Sequence, residues 1–207
     1  MDGMSILKID SAIPLLKSTN MNIQTLTPKI SLRINPGNNM DNYSDTVTNI
    51  TANNVYDINR LAISNAFEAG KSLTLGLDYK FDKQENDLTE DVDDKYFEVK
   101  LATVLRDRFE NDIPMSSTIN KKKSDIFGSI NNRLFNNFNL VYDFSLDNDL
   151  KTINSSAVST EFSINNFVTS FNYIEKRHEI GSTHVLSNNT EYTINDNTSL
   201  KFSTRRN

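Results

Sequence analysis

The stretch that decides the fold is Lys71-Ser72-Leu73-Thr74-Leu75-Gly76-Leu77-Asp78-Tyr79-Lys80-Phe81-Asp82. Leu73, Leu75, Leu77, Tyr79 and Phe81 fall on one phase of a two-residue period. Ser72, Thr74, Gly76, Asp78 and Lys80 fall on the other. Successive side chains of a strand point to opposite faces, so this segment reads as a strand with one apolar and one polar side. A helix would scatter the same apolar residues around its circumference.

The pattern recurs along the chain. Phe97, Val99, Leu101 and Leu105 oppose Glu98, Lys100, Ala102 and Arg106. Phe138, Leu140, Tyr142, Phe144 and Leu146 oppose Asn139, Asp143, Ser145 and Asp147. Val158, Phe162 and Ile164 alternate with Ser159, Glu161 and Ser163; Phe167, Phe171 and Tyr173 alternate with Ser170 and Asn172. Further alternating segments are 29–34, 183–194, 198–206 and a weaker 124–133 carrying Ile126, Gly128 and Ile130. The sum is about nine strands, an all-β chain, with one possible helical turn near Asn53–Arg60.

Strand length and connection length narrow the architecture. The strands run about 10–12 residues, against a mode of about 5–6 in soluble sheets and about 9–11 for strands that cross a bilayer. Asn136-Asn137, Asn165-Asn166 and Asn195-Asp196-Asn197 read as tight turns, since Asn tolerates positive φ. They alternate with longer links at 107–123, 148–151 and 177–182, and the segment 35–70 falls on the long side. One link, 83–94, falls on the short side yet is long. Tight turns on one side and longer loops on the other are the mark of an antiparallel up-and-down transmembrane barrel. A soluble β-sandwich or extended sheet remains the alternative at this level.

Composition sets the outer bounds. The chain has 207 residues, 37% hydrophobic and 24% charged, with six Gly, four Pro, no Cys and no Trp. Its mean hydropathy is −0.50, and no apolar run approaches the roughly 18 residues of a membrane helix. Absence of Cys rules out a disulfide scaffold, a Cys-based zinc site and a thiol nucleophile. A net charge of −5 gives no basic footprint for nucleic acid. The opening Met1-Asp2-Gly3-Met4-Ser5-Ile6-Leu7-Lys8 lacks the pattern of a secretory leader. That leaves either a cytoplasmic protein or an internal piece of a longer precursor.

Candidate chemistry is sparse. His178 and His184 are six apart and match no metal spacing. Asp87, Thr89, Asp91 and Glu98 fall at ligand positions of a calcium loop, but Val92 stands where the sharp turn needs Gly. Lys121-Lys122-Lys123 suits a solvated strand start or anionic headgroups. No phosphate loop, dinucleotide fingerprint, nucleophile elbow or zinc-helix motif is present. The reading is not an enzyme: a structural, transport or assembly role, without a cofactor or metal.

Several ordered segments resemble one family. Leu26-Thr27-Pro28-Lys29-Ile30-Ser31-Leu32 is similar to an L-x-P-x-hydrophobic strand, and Asn54-Val55-Tyr56-Asp57-Ile58-Asn59-Arg60-Leu61 to the element that follows it. Phe67-Glu68-Ala69-Gly70 and Leu73–Tyr79 continue the set, as do Ser124–Ser129 and Asn139–Asp149. Together, over about residues 23–206, they resemble the LptD family of lipopolysaccharide (LPS)-assembly outer-membrane proteins (organic solvent tolerance proteins). The resemblance implies a large antiparallel barrel in the Gram-negative outer membrane that carries LPS to the outer leaflet. It implies as partners LPS, an LptE-like plug lipoprotein in the lumen, periplasmic bridge proteins reached through an N-terminal domain, and outer-membrane lipid. Residues 1–207 are then an internal fragment of the C-terminal barrel domain, and the family's disulfides cannot form here.

On that reading the polar face lines the lumen through Lys29, Arg33, Asp78, Lys80, Glu98, Lys100, Arg106, Asp143, Lys201 and Arg205. The apolar face meets lipid through Leu73, Leu75, Leu77, Leu101, Leu140, Phe144, Phe162, Phe171 and Phe202. A generic outer-membrane porin or receptor fragment and a secreted β-rich adhesin are the other readings.

Overall fold

A computed structural model describes residues 5–37, 49–62, 67–84, 95–177, 182–195 and 197–207. The fold is all-β: one antiparallel sheet of eleven strands following chain order. The strands are β1 (Leu7–Ala12), β2 (Leu15–Ser18), β3 (Asn22–Asn35), β4 (Gly70–Lys83), β5 (Tyr96–Arg106), β6 (Lys123–Phe135), β7 (Phe138–Leu146), β8 (Ile153–Ile164), β9 (Phe167–Arg177), β10 (Ser182–Asn195) and β11 (Thr198–Arg206). The only helical element among the described residues is a single 3₁₀ turn at Met115–Ser117. Asn53–Arg60 forms successive turns instead of the helical turn expected there.

The sheet has one strand position more than the nine expected. β1 and β2 both pair with β3, and the register Ala12↔Lys29 continues unbroken as Leu15↔Leu26. They are one strand interrupted at Ile13-Pro14, opposite Thr27-Pro28. The Ile13 amide donates to the Pro28 carbonyl at 3.1 Å. Pro28 has no N–H to return, and Pro14 has none either, so the ladder thins at this point. Pro14 and the adjacent Leu15-Leu16 hide this strand from a period-2 reading.

Strand direction sorts the strand ends into two groups. The ends at Ser18/Asn22, Lys83/Tyr96, Phe135/Phe138, Ile164/Phe167 and Asn195/Thr198 share one edge of the sheet; those at Asn35/Gly70, Arg106/Lys123, Leu146/Ile153 and Arg177/Ser182 share the other. Lys83 and Tyr96, at the tight-turn end, are separated by twelve residues of sequence, the one long interval on that side. Asn165 has φ 49°, the left-handed conformation expected of its turn. Register irregularities sit near strand ends, between Thr103 and Leu105, Asn132 and Phe135, Ser145 and Leu146, and Thr193 and Asn195. The face assignment therefore carries across the sheet without inversion. Among the described residues β1/β2 and β11 do not pair with each other, so the sheet is an open wall.

The two faces are inverted relative to a soluble sheet. On the apolar face Leu75 is 37% exposed and Leu77 41%, while Thr74, next to Leu75 but on the polar face, is 2% exposed. Ser31, Asn35 and Ser72 of the polar face are also buried. The hydrophobic core, too, lies on the polar side. Ala102 and Val104 of β5 and Phe127 of β6 join Ile50, Ala52, Val55, Leu61, Ile113 and Ile119 from the two longest loops.

Candidate functional site

Two loops fold back onto the polar face at the long-loop end, covering β3 to β6. Their seat begins with out-of-phase residues. Val104 lies on the polar phase of β5 beside Ala102, and Phe127 lies on the polar phase of β6. Both are almost fully buried. Ile50, Val55 and Leu61 of the first loop and Ile113 and Ile119 of the second close over them. Burying each such side chain stabilises the docked state by about 1.5–3 kcal/mol.

Glu68 forms the centre of the site. Its carboxylate receives Arg60 Nε at 2.7 Å and Arg60 Nη2, and Arg106 Nη2 at 2.7 Å; Arg33 Nη1 stands 3.8 Å away. Each of these side chains is at most 4% exposed. Burial alone would raise the Glu68 carboxyl, but the charge and hydrogen bonds of Arg60, then Arg106 and Arg33, hold it below the usual carboxylate range.

The arginines do more than pair with Glu68. Arg33 Nη1 donates to the Ile58 carbonyl at 2.8 Å and Arg33 Nη2 to that of Asp57. Arg60 reaches the Val55 carbonyl at 3.2 Å, Thr74 Oγ1 at 3.1 Å and Ser72 Oγ at 3.1 Å. Arg106 donates to Ile119 O at 2.6 Å and Ala69 O at 2.9 Å. Guanidinium groups suit this role because their fixed fork of five donors satisfies several loop carbonyls at once. Asn35 Nδ2 adds donations to Phe67 O at 3.3 Å and Glu68 O at 3.1 Å.

Tyr56 makes the deepest contact with the wall. A Cβ at Gly76 would lie 1.7 Å from the Tyr56 hydroxyl, so only glycine leaves the slot that the phenol enters. The hydroxyl has no hydrogen-bond partner among the described residues. Burial, then the charges of Asp78 and Asp10, push it up to about 12. Lys29 Nζ stands 5.5 Å from the Tyr56 ring centre, a cation–π contact. Gly70, at φ 87°, returns the chain to the wall, with Glu110 Oε1 occupying the space of its absent Cβ.

All ten residues assigned to the lumen stand on the polar face. Arg33 and Arg106 are sealed under the loops, not open to water. Lower on the wall, Lys29 pairs with Asp78 at 2.5 Å, Lys80 with Asp82 at 2.6 Å and Lys100 with Glu98 at 3.0 Å. Lys201 pairs with Glu191 at 3.2 Å, and Arg205 is exposed. Asp143 is half-buried, with Oδ1 unpartnered among the described residues.

The nine residues assigned to lipid share the opposite face. Phe144 leans over Gly128, where a Cβ would meet its ring at 2.1 Å. That face becomes more polar toward β9 and β10. There Asn188 donates to Thr169 Oγ1 at 3.0 Å, and Thr190 closes the group by bonding Thr169 at 2.9 Å. Because these polar atoms satisfy one another, the patch exposes fewer free hydrogen-bonding groups than its composition suggests.

Sequence reasoning missed Arg60 and Glu68 as a pair, the seat at Val104 and Phe127, and buried Asp125. Asp125 receives Ser145 Oγ at 2.6 Å and Asn154 Nδ2 at 2.7 Å. The available signal was phase: an apolar residue among polar neighbours on the polar side marks where something docks. The calcium-like run 85–94 and His178 lie outside the described residues, and His184 is exposed on β10. Among the described residues no cluster of three His, Cys, Asp or Glu side chains could hold a metal ion.

No curated protein matches the chain. The family model described as LPS transport system D matches residues 2–203, nearly the whole chain.

Proposed function

Because the chain belongs to the LPS transport system D (LptD) family, we propose that it is a section of outer-membrane barrel wall in the translocon that assembles LPS into the outer leaflet. Family membership places it in LPS transport and takes precedence over the porin, receptor and adhesin readings. The observation that carries the membrane assignment is the inverted sheet, its leucine face bare and its charged face, from β3 to β5, covered or paired. Water penalises that arrangement and a bilayer favours it. Strands of 9–14 residues from β3 onward have the length to cross.

In this reading Leu73, Leu75, Leu77, Leu101, Leu140, Phe144, Phe162, Phe171 and Phe202 meet lipid. The polar face lines a lumen holding water and an LptE-like plug lipoprotein. The long-loop end faces the cell exterior, and the tight turns face the periplasm, where bridge proteins deliver LPS through another domain. The open edges at β1/β2 and β11 fit residues 1–207 as part of a larger barrel. No bond is made or broken; the chain works by shape and by separating two solvents.

Single cysteines test the orientation cleanly, since the chain has none of its own. In the full-length protein in lipid vesicles, fluorophores on Leu75→Cys and Leu101→Cys should be quenched by brominated phospholipid. Those on Asp78→Cys and Asp143→Cys should be quenched by iodide. The reverse pattern, or no difference, overturns the proposal.

A further inference from the structure

We propose that the lipid-facing side of β9 to β11, at the long-loop end, is a docking surface for the phosphorylated headgroup of an outer-leaflet lipid. The proposal rests on the barrel reading and adds a ligand site to it. At the tight-turn end the lipid-facing phase of β8 to β11 carries Ile164, Phe167, Tyr192 and Leu200. Among the described residues of these strands, every charged or imidazole side chain on that phase lies toward the other end: Glu175, Arg177, His184 and Arg206. A bilayer boundary by itself calls for aromatic girdles at both ends. Charges gathered at one end distinguish one leaflet from the other.

The strand register sets their spacing. Arg206, Leu186 and Tyr173 form one row across β11, β10 and β9, and His184 faces Glu175 in the next row out. Arg206 and Arg177 are both diagonal neighbours of His184, one on each side, and such neighbours stand about 7–8 Å apart. Glu175 holds one wall of the site, accepting Arg177 Nε at 3.3 Å and the Tyr173 hydroxyl at 3.1 Å. That contact leaves both Nη groups of Arg177 without a partner among the described residues, on a side chain 54% exposed. Arg206 and His184 are exposed and make no side-chain hydrogen bond or ion pair among the described residues. Two guanidiniums against one carboxylate leave the surface positive even with a neutral imidazole. A guanidinium fork matches phosphate oxygens two at a time. Toward the membrane interior the same surface continues as Leu186, 47% exposed, and Phe171, 49% exposed. Phosphate and then acyl chain are thus met in the order in which a lipid presents them, which makes the occupant a lipid and not a free ion.

The test uses the full-length protein in phosphatidylcholine vesicles, with a fluorophore either on Leu186→Cys, beside the cations, or on Leu101→Cys, in the middle of β5. The quenchers are brominated phosphatidic acid, whose headgroup is a phosphomonoester, and brominated phosphatidylcholine at the same mole fraction. Quenching at position 186 should favour phosphatidic acid several-fold, and quenching at position 101 should show no preference. The double variant Arg177→Gln/Arg206→Gln should lose the preference at 186. Glu175→Gln, which removes the competing anion, should increase it. Equal quenching by the two lipids at 186, or an equal preference at 101, overturns the docking surface. So does a preference that survives in the double variant or falls in Glu175→Gln. Suppression of the preference by inorganic phosphate at the concentration of the phosphatidic acid overturns the lipid as occupant. Quenching at neither position by either lipid fails the barrel reading instead.

Discussion

Glu68 Oε1 accepts a hydrogen bond from Arg106 Nη2 at 2.7 Å across 38 residues of sequence, joining the end of the first long loop to the last residue of β5. A buried ion pair is weak support for stability, because desolvation offsets much of the attraction. Removing one partner is different, since it strands the others. Glu68→Gln keeps the shape and deletes the only anion bonded to Arg60 and Arg106 among the described residues. Loop docking should weaken by about 3–5 kcal/mol, read as faster hydrogen exchange at Val55 to Leu61. Unchanged protection there would show that the apolar seat alone holds the loop.

Gly76 and Tyr56 should behave as a coupled pair. Gly76→Ala sets a methyl 1.7 Å from the Tyr56 hydroxyl and 2.9 Å from the Leu101 carbonyl. The ring can swing away, but the strand carbonyl yields less easily. Gly76→Ala should therefore expel Tyr56 and raise the tryptic cleavage of the first loop. Tyr56→Phe removes a buried hydroxyl that has no partner among the described residues, so it should leave docking unchanged or tighten it by about 1 kcal/mol. A strong loss in Tyr56→Phe would reveal a partner for that hydroxyl.

Leu75→Arg and Ser159→Arg probe the two faces. Near the bilayer midplane an arginine facing lipid costs about 2–4 kcal/mol. Ser159 is exposed on the polar face, where an arginine should cost little. Equilibrium unfolding of the full-length protein from lipid vesicles reads both, and equal costs would contradict the assigned faces.

Acid should release the loop only after ordinary carboxylates have titrated. The Glu68 carboxyl is held below its usual value of 4.5. A depressed acid contributes stability that is fully present above the unperturbed value and is lost as pH falls through the depressed one. Hydrogen exchange in the first loop, corrected for its intrinsic pH dependence, should be flat from neutral pH to about 4.5 and rise below it. Release at pH 6 would contradict this.

The alternation in β4 through β11 was legible in the sequence, because period-2 side-chain direction is a local property of extended backbone; the family was legible as a resemblance carried by ordered segments such as Asn54–Leu61 and Leu73–Tyr79. The asymmetry of turns and loops was legible for the same reason. The first strand was not, since after Leu7-Lys8-Ile9-Asp10 its alternation is broken by Pro14 and by the adjacent Leu15-Leu16, and only pairing with β3 supplies its order. Arg33 and Arg106 share the polar phase, but their burial was not visible, because phase gives direction and says nothing of what stands opposite.

The sequence by itself determined which residues share a face, since that follows from backbone geometry one residue at a time. Tertiary structure alone decided that the polar face carries the buried core. That outcome depends on loops returning from tens of residues away, with Glu68 reaching three arginines at once, and no local period records such a meeting.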